Sequence, residues 1–142
     1  MKVIGFNMTK IAAQRDPFFK QVSTINTNIE FTEIEKAKVD LNIEIESLRL
    51  LYKFTIAYNE GEEKQAQKKA EIFFEGEIII AVDKEESNEI MKAWKKKEVS
   101  PNFKAPLFNI ILRKCTPKAL ALEEEINLPT HIPMPQIEVQ KK

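Results

Sequence analysis

The sequence predicts an α+β fold: a four-stranded antiparallel sheet followed by two helices, with the helices packed on one face. Three observations predict it. Residues 70–82 read AEIFFEGEIIIAV, with every even position apolar or glycine and Glu71, Glu75 and Glu77 among the odd ones. Period-two alternation over that length is a strand with one buried face. Three similar stretches precede it and two stretches of helical period follow. Strands first and helices last is the order of α+β proteins, which segregate helices to one side of an antiparallel sheet.

The first strand is expected over about Val3 to Ala12, with Ile4, Phe6 and Met8 on one face, and Arg15-Asp16-Pro17 breaks it because proline offers no ladder N–H. The second runs from about Ile25 to Ile34. Ile25, Ile29 and Phe31 point inward while Asn26, Asn28, Glu30 and Thr32 point outward. In the third, Val39, Leu41, Ile43 and Ile45 are odd, but the apolar set then becomes Leu50, Tyr52, Phe54, Ile56 and Tyr58. A strand cannot change parity and keep one buried face without a bulge. One long strand bulged near Ser47 to Arg49 is expected, with two strands joined by a tight turn as the alternative. Asn59-Glu60-Gly61-Glu62 turns the chain into the fourth strand, since Asn and Gly accept positive φ.

Capping-type residues over Asp83–Ser87 open a first helix that reaches about Glu98, with Ile90, Met91 and Trp94 on one stripe and lysines in its last turn. Ser100-Pro101-Asn102 ends it. A second helix runs from Phe103 or Ala105 to Glu125. Leu107, Phe108, Ile111, Leu112, Cys115, Ala119 and Leu122 mark a broad buried stripe, and Pro117 is expected to kink or divide it. The proline-rich tail is expected to be extended. The chain thus reads as a single domain over 1–142: sheet over 3–82, helices over 85–125, tail over 126–142.

Composition narrows the function classes. A chain of 142 residues buries roughly two thirds of its surface and needs neither metal nor disulfide to fold. Its 22 basic and 22 acidic residues cancel, so no global field draws it to nucleic acid or an anionic membrane. One cysteine suits a reducing compartment, no apolar run is long enough to span a bilayer, and the N-terminus lacks the apolar core of a signal peptide. A cytoplasmic protein without membrane insertion is the expectation.

No catalytic constellation is legible, so no enzyme, cofactor or metal is expected. His131 is the single histidine, in a proline-rich tail, and reads as an ordinary surface residue. Cys115 reads as a small hydrophobe on the long helix. One Cys and one His cannot fill a tetrahedral site, and three glycines are too few for a phosphate loop or dinucleotide fingerprint. The lysine runs Lys64–Lys69 and Lys92–Lys97 contain no arginine, Gln65 and Gln67 dilute the first, and Glu62, Glu63, Glu85 and Glu86 flank the two, so they read as solvated faces and no nucleic-acid partner is expected. More informative are apolar residues on the second sheet face: Phe73, Ile79 and Ala81 on the fourth strand and Leu51 on the third. A face left open to water should be polar, so this pattern predicts a partner, either a second copy or exposed segments of other proteins.

The layout resembles the SecB family of export chaperones across about Val3 to Ile137. Ser100-Pro101-Asn102 with Pro106, Cys115 within the long helix, and Ile126-Asn127-Leu128 after it are similar to that family's Cys-Pro-Asn plus proline, helix cysteine and Leu-Asn-Leu. The resemblance implies a tetrameric, ATP-independent holdase that binds non-native polypeptides in apolar grooves, in protein export or for another partner. Familiar members are acidic and end in an acidic tail, whereas this chain is neutral and ends Ile137-Glu138-Val139-Gln140-Lys141-Lys142. Candidate peptide-binding residues are Tyr52, Phe54, Phe73, Ile79, Trp94 and Phe108. The alternative is a non-enzymatic oligomeric adaptor or dedicated, antitoxin-type chaperone with one specific protein partner.

Overall fold

The computed structural model describes residues 1–37, 44–62 and 66–139. Four strands, β1 (Lys2–Arg15), β2 (Thr24–Lys36), β3 (Ile45–Glu60) and β4 (Gln67–Asp83), precede two helices, α1 (Lys84–Lys95) and α2 (Pro101–Glu125). All pairings are antiparallel and the order is β1-β4-β3-β2. β1 therefore joins the far end of the β2-β3-β4 meander, and residues 16–23 carry the chain from one edge of the sheet to the other. Arg15 fixes that crossover: its guanidinium donates to the carbonyls of Ile126 (3.0 Å), Asn127 and Phe19 (3.2 Å), tying the end of β1 to the end of α2.

The even residues of β4 from Ala70 to Val82 and of β3 from Leu48 to Tyr58 are buried under the helices, as the alternation requires. With Phe31, Ile34, Ile90, Leu107, Ile111 and Cys115 they form one hydrophobic core. Gly76 has a packing reason. A Cβ there would lie 2.1 Å from the Asn7 carbonyl oxygen and 2.5 Å from the Tyr52 hydroxyl, so only glycine lets the Tyr52 ring lie across β4.

The parity change of the third strand has a different origin from the one expected. Val39, Leu41 and Ile43 lie outside the described residues. β3 begins at Ile45, and its pairing with both neighbours is regular through Ser47, Leu48 and Arg49. No bulge sits there. Register shifts occur instead at Ile4 and Thr9 of β1, at Thr32 of β2 and at the β4 end near Lys69. The first explains why Ile4 does not share the inward face of Phe6 and Met8: the extra residue turns it out to solvent.

The start of α1 is built as the sequence suggests, but α1 ends at Lys95, short of the Glu98 expected. Asp83 caps α1 by accepting from the Glu86 N–H at 2.7 Å, and Ser100 caps α2 by accepting from Asn102 N–H at 3.2 Å with Pro101 at the first position. Ser100-Pro101-Asn102 therefore starts the second helix rather than ending the first, because a proline at the first helical position lacks only an N–H that would have no partner there. Both helices close with a left-handed residue: Lys97 (φ 56) after α1 and Asn127 (φ 55) after α2. The paired bonds Asn127 N–H to Glu124 carbonyl and Leu128 N–H to Glu123 carbonyl, with Leu128 buried, make a Schellman closure at Ile126-Asn127-Leu128.

Of the two outcomes expected at Pro117, division does not occur: α2 runs as one helix through Pro106 and Pro117. The expected breadth of its apolar stripe is corrected. Its fully buried stripe is narrow (Leu107, Ile111, Cys115, Ala119 and Glu123, four apart), with Phe108 and Leu122 half-buried and Leu112 37% exposed. One helix packed flat on a sheet buries a single line of contact, and residues flanking it stay at the margin.

Candidate functional site

Beneath α2 lies a buried polar chain that the sequence does not announce. The Tyr58 hydroxyl donates to Glu123 Oε2, and His131 Nδ1 stands 3.0 Å from Glu123 Oε1. The His131 side chain is 3% exposed and that of Glu123 is fully buried, so His131 is not the surface residue expected. Its ring edge faces Phe54 at 6.3 Å. The chain pins the tail, the last turn of α2 and the end of β3 together, and a buried carboxylate is tolerable there because both its oxygens have partners. Both side chains are enclosed, and the second ring nitrogen of His131, Nε2, has no hydrogen-bond partner.

Cys115 is likewise structural. Burial pushes its thiol up to about 11, and the phenols of Tyr52 and Tyr58 are also raised, chiefly by burial. The Tyr52 hydroxyl has the Cys115 thiol as its polar neighbour, but no hydrogen bond of ordinary geometry satisfies it. A thiol held protonated in this setting is a poor nucleophile.

The expected binding residues fall into three groups. Tyr52 and Phe54 are fully buried in the core and present no surface. Phe73 and Ile79 lie half-buried on the opposite, outer face of the sheet. That face is dressed with charge: Lys10 Nζ stands 5.1 Å and Lys53 Nζ 4.9 Å from the Phe73 ring centre, Lys53 approaches Glu75 at 4.0 Å, and Arg49 Nε meets Glu77 at 3.0 Å. Phe73 is thus covered by the stems and ammonium groups of two lysines, which accounts for an aromatic on a watered face.

Trp94 and Phe108 form the third group, and the structure brings them to one place. Phe108 packs against Phe31 at 5.0 Å between ring centres, and Phe31 in turn lines a groove of about 450 Å³ with Trp94, Val99, Glu30, Thr32, Lys97 and Lys104. A second hollow of about 350 Å³, lined by Lys36, Asn88, Met91, Lys92 and Lys95, lies between α1 and the other end of β2. β2 is an edge strand among the described residues, so its outer backbone groups face no further strand there, and Thr32 interrupts the ladder beside the larger groove. Phe31 and Val99 belong to the buried core and reach the groove only at its floor, and neither reads in sequence as lining a site. The legible signal was Phe31 inward-facing on a strand the sequence does not show to be at an edge.

Charges around the groove are unevenly satisfied. Ser87 Oγ donates to Glu46 Oε2 at 2.6 Å and holds that carboxyl below its usual range, and Glu46 also pairs with Lys36 at 3.6 Å. Lys92, Lys95, Lys97 and Lys104 make no ion pair among the described residues. No group of three or more Asp, Glu, His or Cys capable of holding a metal occurs among the described residues, and no helix there is long and apolar enough to cross a membrane. No protein-family model matches the chain, and no curated protein or solved structure matches it.

Proposed function

We propose that the chain is a nucleotide-independent holdase, similar in kind to the SecB chaperones, that binds non-native polypeptide segments and performs no chemistry on them. One observation carries the reading: a groove with Trp94 on its wall, the buried Phe31 and Val99 at its floor and Glu30, Lys97 and Lys104 around it runs beside a sheet edge that no further strand pairs among the described residues. An extended chain offers two things, apolar side chains and free backbone groups, and this site meets both. A compact native protein offers neither in one strip. Strands-then-helices order and the Ser-Pro-Asn, Cys115 and Ile-Asn-Leu positions support the same reading.

The test is aggregation of a chemically unfolded client followed by light scattering. The protein is expected to delay aggregation near stoichiometric ratio without ATP. Trp94→Ala, with its fold checked by circular dichroism, is expected to lose that protection, while Phe73→Thr on the outer sheet face keeps it. Failure to protect any of several clients, with tight capture of one native protein, would replace the holdase by a dedicated adaptor.

A further inference from the structure

We infer that the tail from Pro129 onward is a releasable strap, pinned to the body by the His131 side chain and closing a peptide-sized seat over Phe54, Tyr58 and Glu123. The inference goes beyond the holdase reading and does not rest on the β2 groove. The way the tail is held carries it. Among the described residues, the last backbone hydrogen bond from this segment to the body runs from Leu128 N–H to the Glu123 carbonyl at 2.8 Å. Pro129, Pro133 and Pro135 have no N–H to give. Thr130 Oγ1 bonds within the strap, to the Ile132 carbonyl at 2.9 Å. The polar hold of strap on body is therefore His131 Nδ1 against Glu123 Oε1, at 3.0 Å.

That pin is deep but incompletely satisfied. The His131 side chain is 3% exposed, and its Nε2 is buried with no partner. With Nδ1 against the carboxylate, Nε2 is left either as a lone pair without a donor or as an N–H without an acceptor, and an unsatisfied buried polar atom counts against the closed state. The root of the strap is not close-packed, because a hollow of about 320 Å³ opens between Leu128 and Pro129 on one side and Phe19 and Val22 of the crossover on the other. Past the pin, Ile137 and Val139 are 99% and 90% exposed, so the far end is undocked. A segment tied at one point, with a penalty at the tie and a free end, is poised to leave. Its departure uncovers the Phe54 ring, whose centre lies 6.3 Å from that of His131, together with the Tyr58 hydroxyl and the Glu123 carboxylate. The seat fits an extended, proline-interrupted segment with an N–H donor at the His131 position. Its occupant is this chain's own tail, and the same sequence supplied in trans takes its place.

The experiment uses the full chain, wild type and His131→Ala, and a fluorescein-labelled peptide of residues 126–139 followed by anisotropy. In the wild type the strap competes in cis at the high effective concentration of a short tether, so the peptide is expected to bind at least about tenfold more weakly than it binds His131→Ala. The same peptide carrying His131→Ala is expected to bind neither chain. His131→Asn in the full chain, whose side-chain amide offers an N–H in place of Nδ1, is expected to restore the closed strap and with it weak peptide binding. Equal binding of the wild-type peptide to both chains, or binding to neither, would overturn the inference. Loss of the folded circular dichroism spectrum in His131→Ala would overturn it too, since a releasable strap is dispensable to the fold. Client protection through Trp94 is read in a separate assay, so the holdase reading and the strap stand or fall independently.

Discussion

Single residues in this core carry more polar chemistry than the sequence shows. Cys115 is buried beside Tyr52, and its thiol, ordinarily 9.0, is pushed up to about 11. The folded state therefore keeps a proton that the unfolded chain releases near 9.0, and Tyr52 and Tyr58 act in the same sense at higher pH. A raised value means that stability is fully present below the unfolded value and is lost as pH climbs through the folded one. The urea midpoint is expected to be level up to about pH 8.5 and to fall between about pH 9 and 11, with a shallower fall in Cys115→Ala. An identical slope in that variant would show that the thiol is not the group responsible. His131 marks where sequence reading stops at this scale. A histidine among prolines carries no sign of a partner, and the Glu123 that meets it reads as one acid in Glu123-Glu124-Glu125. Only the Schellman turn at Asn127, which folds the tail back over the helix end, brings them together.

Elements were legible where one periodicity ruled and obscure where two competed. β4 alternates cleanly and was readable almost to its ends, as was the capping start of α1 at Asp83, whereas β2 alternates only as far as Phe31, where the bulge at Thr32 moves the next buried position to Ile34, and the start of α2 at Pro101 reads in sequence as the end of the first helix. β1 was readable as a strand but not in its facing, because bulges at Ile4 and Thr9 each cost one residue of register. The long helix shows the opposite difficulty. Apolar residues surround much of it, so periodicity could not say which line faces the sheet; the structure picks Leu107, Ile111, Cys115 and Ala119. This gives a paired prediction. Ile111→Ala, fully buried, is expected to cost about 2–5 kcal/mol by leaving a cavity. Leu112→Ala, one residue on but at the margin, is expected to cost less than about 1 kcal/mol. Chemical denaturation of the two variants decides it, and equal losses would mean that Leu112 is covered in the protein as it exists in solution.

That last outcome leads to the whole molecule. The candidate groove could not be read beforehand because it depends on strand order: β1 crossing to pair with β4 leaves β2 at the edge, and only then do Phe31 and Trp94 share a surface. The same order leaves apolar residues without cover elsewhere. Ile11 on the β1 edge is 51% exposed, and Leu112 stands on the solvent side of α2. Two such sites on different elements suit a homo-oligomer, a dimer or a tetramer, with the β1 edge and the outer side of α2 as contacts, because closed symmetry covers self-complementary patches with few residues. Light scattering at micromolar concentration is expected to return a mass of two or four chains. Ile11→Lys and Leu112→Glu together, both at exposed positions, are expected to lower that mass while leaving the circular dichroism unchanged. A stable association buries at least about 1,200 Å² in total, so a wild-type mass of one chain at this concentration would exclude it and leave the groove to work on a monomer.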